Sequence, residues 1–155
     1  MDLQPLLPEL VPKAIAWAKI QSEHIRSTGY SLNEKGFAIA RQVGVLSPEL
    51  VRVRYVSQLP VPDDPELRKV ALGTGLLGPG MVGLTLGHGI FVVDGYGDVR
   101  LMSHELRHVQ QYEAFGSIEA FMPVYLAQIA SVGYRDAPLE QDARAHEVLS
   151  DRADR

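Results

Sequence analysis

Between Val11 and Arg26 the apolar positions Val11, Ile15, Ala18 and Ile25 recur at helical spacing, with Trp17 and Ile20 nearby, and "STGY" ends the run. That pattern predicts a first helix. A second is predicted over Leu32 to Val43, where Phe37, Ile39, Ala40 and Val43 alternate with polar residues until Gly44 stops them. The period then changes to two: in "LVRVRYVSQLPVP", Val51, Val53 and Tyr55 alternate with Arg52 and Arg54, a half-buried strand closed by Pro60 and Pro62. "DDPELRKVALGTG" reads as a short helix with Asp64 as N-cap and Pro65 at its first position. Eight glycines between Gly75 and Gly97 interleave with Val, Leu, Thr, Ile and Phe, which predicts extended segments over Val82 to Leu86 and Ile90 to Val93, broken by turns or bulges. Three helices are expected to finish the chain: Val99 to Phe115, Ser117 to Val132, and Pro138 to about Asp151. With no repeat and no linker, the expected fold class is α+β, mostly helical with a small sheet. Residues 1–155 are expected to form a single domain, an N-terminal helical portion of about 1–75 leading into a strand and helices of about 76–155.

Composition narrows the function. At 155 residues the chain can bury one core without staples, and 46% apolar with 22% charged residues is ordinary for a globular protein. The net charge of −4 comes without blocks of like charge, so neither nucleic acid nor an anionic membrane is an expected partner. The absence of cysteine excludes disulfides, thiolate metal sites and a cysteine nucleophile. "MDLQPLLPELVPKAIAWAKIQ" lacks the parts of a signal peptide and no apolar run is long enough to span a bilayer, so the expected location is cytoplasmic.

The candidate chemistry lies in "LMSHELRHVQQY". On a helix, His104 and His108 project on one side one turn apart, where two imidazoles can share a tetrahedral zinc. Glu105 falls about 100° round from His104, near such a metal without entering its ligand shell. A carboxylate there can take a proton from metal-activated water and pass it to a leaving amine. Five His and ten Glu in the chain would produce this spacing by chance in roughly one chain of this length in a hundred. The competing reading is a half-exposed helix whose histidines cap or are solvated.

The position of a third ligand separates the options. "HExxHxxGxxH" would need Gly and His where the chain has Gln111 and Ala114, and "EAFGSIEAFMPVY" contains no aspartate. A glutamate on a later helix stays open: "YRDAPLEQDARAHE" supplies Glu140, 32 residues beyond His108, after one helix and a turn that would bring the chain back. "HELRH" with "PLEQDAR" on the next-but-one helix resembles the gluzincin class of zinc metallopeptidases. The likeness is greatest to compact bacterial versions of the minigluzincin kind, and "GLTLGHGIFVVDGYGDVRLMSHELRHVQQYE" extends it upstream to the strand and turn before the helix. It covers about the C-terminal half; residues 1–75 have no counterpart in it. The resemblance implies a zincin-like domain with one Zn²⁺ per chain held by His104, His108 and Glu140, Glu105 as general base and acid, and hydrolysis of a peptide or protein substrate.

The chain departs from that pattern where gluzincins often carry an aspartate four residues after the glutamate ligand, to orient the first histidine. Arg144 stands there, and Asp142 faces another way on an ideal helix. Arg144 reads more simply as a surface ion pair between Glu140 and Glu147. For a donor to a developing oxyanion, Tyr134, His146, Arg144 and Tyr112 are all close enough in sequence, while His146 could instead pair with Asp142 at i, i+4. "VGLTLGHGI" is either a strand beside the cleft, able to bind a substrate backbone, or a core strand with glycine bulges. His88 reads as a turn residue and His24 as a surface one. "GTGLLGPG" lacks the Lys and Ser/Thr of a phosphate loop. "FMPVYLAQIA" reads as a buried helix. The leading expectation is a zinc peptidase. A non-catalytic or conditionally active zinc-binding interaction module comes second and a metal-free helical binding domain third.

Overall fold

The computed structural model describes residues 2–149. Helix α1 (Leu7–Thr28) buries the stripe Leu10, Ala14, Ala18, Ser22 and Ile25, while Ile20 faces solvent. It begins earlier than its hydrophobic pattern because Pro8 sits in its first turn, where a missing N–H costs nothing. Pro12 lies one turn further in, inside the helix. At Gly29 a Cβ would meet the carbonyl oxygens of Ile25 and Val53 at 2.7 and 2.9 Å. Only glycine lets the chain leave α1 and pair at once as the two-residue strand β1 (Tyr30–Ser31), which periodicity does not reveal.

Helix α2 (Glu34–Gln42) is capped by Asn33, whose side chain accepts from the Gly36 N–H at 2.8 Å. Strand β2 (Arg52–Val56) follows, then α3 (Pro65–Gly73), capped as expected by Asp64. Strands β3 (Gly83–Leu86) and β4 (Gly89–Val93) match the expected extended segments. Helices α4 (Val99–Phe115) and α5 (Ile118–Val132) also fall where the pattern put them, Ser117 capping the second at Ala120. Helix α6 (Pro138–Ala145) is shorter than expected. It stops before His146 and the chain runs on without helix to Leu149; Asp151, its expected end, lies outside the described residues.

The sheet order is β1-β2-β4-β3, with β2 and β4 parallel and the outer pairs antiparallel, so β3 is an edge strand. The first half of the chain therefore supplies two of the four strands as well as three of the helices. Strand β4 sorts the two cores by alternation. Ile90 and Val92 pack with Leu106, Val109 and Val43 on the face covered by α2 and α4, whereas Phe91 joins α1, α3 and α5 on the other. The result is an α+β domain with helices on both faces of a small mixed sheet. No single helix among the described residues is long and apolar enough to cross a membrane.

Asp98 caps the helix that carries the histidines, accepting from the Leu101 N–H at 2.8 Å. Asp98→Ala is expected to lower folding stability by about 1 kcal/mol, read as an earlier urea midpoint with unchanged slope.

Candidate metal centre

The stripe Met102, Leu106 and Val109 commits one side of α4 to the sheet, which turns His104, Glu105 and His108 toward β3 and α6. Helix α6 is fixed against α4 by its own first turn. Gln111 Nε2 donates to the Leu139 carbonyl at 2.9 Å, and the Leu139 N–H donates to Gln128 on α5 at 2.9 Å. These bonds bring Glu140 between the imidazoles. Its Oε1 lies 3.2 Å from His104 Nε2, its Oε2 lies 3.1 Å from His108 Nε2, and its side chain is only 2% exposed. Tyr125, buried on α5, donates its hydroxyl to Glu140 Oε2 at 2.7 Å.

The donor set can hold a metal ion: one ligand atom from each of His104, His108 and Glu140 lies within 4.8 Å of the others. The outer ring atoms are spoken for, which leaves both Nε2 atoms for an ion. His104 Nδ1 donates to Glu147 Oε2 at 2.8 Å, and His108 Nδ1 donates to Gln111 Oε1 at 2.8 Å. Gln111 in turn gives its amide N–H to Asp142 Oδ2 at 2.9 Å, while Arg107 grips the same carboxylate at 2.8 Å. Each imidazole is thereby fixed in ring orientation and tautomer.

Burial opposes a charge on these groups, and their mutual bonds override it. In Glu140 burial favours the neutral acid, but the hydrogen bonds from His104 and His108 hold the carboxyl well below its ordinary range. Burial likewise pushes His108 down, yet its bond to Glu140 and the surrounding carboxylates hold it up at about 9. His104 is raised for the same reasons. Both imidazoles are thus biased toward the charged form on either side of a buried carboxylate.

Glu105 is 5% exposed and stands beside this cluster rather than in it. Thr85 on β3 donates to its Oε1 at 2.9 Å. A Cβ at position 83 would approach its Oε2 to 2.9 Å, so Gly83 makes room for the carboxylate against the edge strand. The arrangement is a triad of donors able to hold a metal ion, with a separate, anchored carboxylate next to it. Compared with known protein families, curated proteins and solved structures, the chain matches none.

The structure brings the residues singled out from sequence to different places. Tyr134 is half-buried beside the triad. Burial, with Glu140 next in weight, pushes its hydroxyl far above the usual range. His146 is not brought to the triad: its Nδ1 donates within its own turn to the Asp142 backbone carbonyl at 2.8 Å and lies 3.5 Å from the Asp142 carboxylate. Arg144 does not bridge Glu140 and Glu147. It is exposed and bonds the Arg135 carbonyl, because Glu140 points inward and Glu147 is taken by Arg100 and His104. Tyr112 stacks on Phe121 at 3.8 Å in the core. His88 pairs with Glu113 at 3.0 Å, and His24 is exposed.

Sequence reasoning missed Gln111, Tyr125, Glu147 and the Gly83–Thr85 cradle. Gln111 had a signal, since it lies three residues from His108 on the same helix face. Glu147 sits beyond the end of α6, where helical geometry says nothing.

Titration of the metal-free protein checks the charge arrangement. A histidine held up at about 9 contributes stability fully present below its unfolded value of about 6.5 and lost as pH rises through the folded one. A carboxyl held down contributes above its unfolded value of about 4.3 and loses that contribution as pH falls. Thermal midpoints measured with chelator present are expected to be highest between these values and to fall from pH 6.5 to 9. Addition of zinc should reverse the alkaline fall, because deprotonated imidazoles bind it better.

Proposed function

We propose that this protein is a zinc-dependent peptidase, cleaving peptide bonds with water as the nucleophile. The observation that carries the reading is the separation of roles around one point: three donors converge, and a fourth carboxylate, Glu105, is buried beside them with its own anchor on an edge strand. Two histidines with one carboxylate are a donor set typical of catalytic zinc, which keeps its remaining position for water or substrate. Zinc there supplies a Lewis acid that polarises a carbonyl and lowers the pKa of water.

The protein's own residues supply the rest. Glu105 takes the proton of the attacking water and delivers it to the departing amine. Thr85 and the space over Gly83 keep that carboxylate pointing at the reacting atoms. Tyr134 keeps its phenolic proton, because its hydroxyl is held far above the usual range, and donates to the oxyanion as the carbonyl becomes tetrahedral. Strand β3, unpaired on its outer side among the described residues, offers the substrate backbone a partner for β-addition. Glu147, on His104 Nδ1, serves in place of the aspartate that Arg144 displaces.

Glu105→Gln is expected to retain one zinc per chain by elemental analysis and to lower kcat by about 10²–10⁴. Cleavage at the wild-type rate with metal bound would show that Glu105 is not the base. Tyr134→Phe is expected to reduce kcat by about 10²–10³ with little change in KM; an effect on KM alone would remove Tyr134 from the oxyanion role.

A further inference from the structure

Alternation along β2 sends Val53 into the core under α2 and α4, so Arg52, Arg54 and Val56 belong to the opposite face, where α1 packs. Arg54 stands in register with Phe91 of β4, a core residue only 2% exposed. A charge beside a buried phenylalanine breaks the alternation of apolar and polar positions that a half-buried strand requires. Arg52 resolves its own case by donating to the Glu49 and Val51 carbonyls at 2.9 and 2.8 Å. Arg54 is half-buried and has no such partner among the described residues. Residues that break a local rule without compensation are those most often kept for a ligand.

Arg54 lines an open pocket of about 390 Å³ between α1, β2 and α3. Gln21 and His24 of α1, Gln58 of the segment after β2, and Arg68 of α3 line it too. None of these five polar side chains has a hydrogen-bond or ion-pair partner among the described residues, and no carboxylate lines the pocket. Of the acids on the flanking elements, Glu23 is engaged with Arg26 at 3.9 Å and Asp64 with Lys13 at 3.1 Å. Leu59, Pro60 and Val61 supply an apolar wall. The pocket shares no residue with the spaces around His104, His108 and Glu140, so it is a site of its own.

Two unopposed guanidiniums in a chain of net charge −4 create a local positive potential, and a concave surface focuses it. A carboxylate is met in full by one guanidinium, which takes both oxygens side by side. Two guanidiniums reaching one pocket from β2 and α3 match an anion with two charges and oxygens pointing in several directions. The volume falls in the range of small-molecule sites, about 300–1,000 Å³, more than inorganic phosphate alone would fill. We propose that this pocket binds a small organic phosphate monoester, with its phosphate between Arg54 and Arg68 and its carbon skeleton against Leu59, Pro60 and Val61. The amides of Gln21 and Gln58 and the His24 ring are left to bond the ligand's remaining polar groups. The site stands independently of the peptidase reading.

Phenyl phosphate, inorganic phosphate and benzoate are titrated into the full chain at low ionic strength by calorimetry, with zinc bound and without it. Phenyl phosphate is expected to bind at one site in both forms and to shift the His24 ring signals in the NMR spectrum. Its affinity should exceed that of inorganic phosphate by at least about tenfold, through burial of the phenyl ring. Benzoate, with one charge fewer, should bind at least about tenfold more weakly than phenyl phosphate. Arg54→Gln and Arg68→Gln should each weaken phenyl phosphate by at least about tenfold, as loss of charge-assisted hydrogen bonds requires. Arg68 is exposed, so its substitution tests the site even where Arg54→Gln folds poorly. Arg41→Gln makes the same charge change outside the pocket and should leave the affinity within about twofold, because distant exposed charges are screened.

No saturable binding of phenyl phosphate, an affinity matched by inorganic phosphate or by benzoate, or indifference to Arg68→Gln overturns the proposal. Binding seen only with zinc present assigns the anion to the metal centre and overturns it as well.

Discussion

One buried carboxylate sets the conditions for the rest of the molecule. Glu140 has an oxygen against each of two imidazoles and a tyrosine hydroxyl on one of them, at 2% exposure. A carboxylate taken out of water is costly unless its charge and lone pairs are met. Everything around Glu140 meets them: two histidines from one turn of α4, Tyr125 from α5, and a helix start pinned by Gln111 and Gln128. The same requirement makes the centre suited to a cation, since a divalent ion can replace two protons at the same point.

Outward from the imidazoles, the bonds tie distant parts of the chain to this point. His108 reaches Asp142 through Gln111, and Arg107 joins Asp142 to the Val43 carbonyl at the end of α2. His104 reaches Arg100 through Glu147, while the Val148 N–H donates to Ser103 at 2.8 Å, so the segment after α6 is fastened along α4. Glu105 reaches the sheet through Thr85. Loss of any one of these ties would loosen ring or carboxylate orientation before it threatened the core, whose two apolar clusters lie on the faces of the sheet.

The elements were legible where periodicity is strong: α4 and α5 carry uninterrupted stripes and clear caps at Asp98 and Ser117, and β4 is a continuous apolar run. Two prolines obscured the start of α1, and β1 is too short to have a period. In the centre, His104, Glu105 and His108 are local to one helix, so spacing alone placed them together. Glu140 needed the return of the chain through α5, which the lengths of two helices and one turn foretold. Tyr125 and Glu147 were not legible, because each reaches the triad from an element whose direction is set by tertiary packing. Asp142 does face away from the triad, as an ideal helix requires. It acts instead through Gln111, a link that appears only once α4 and α6 are docked.

The most direct test of this account is the zinc X-ray absorption spectrum of protein loaded with one equivalent. It predicts scattering from two imidazoles with a first shell of nitrogen and oxygen at about 2.0–2.1 Å, and loss of stoichiometric binding in Glu140→Ala. A metal bound without the imidazole pattern, or an unchanged spectrum and stoichiometry in that variant, would contradict it.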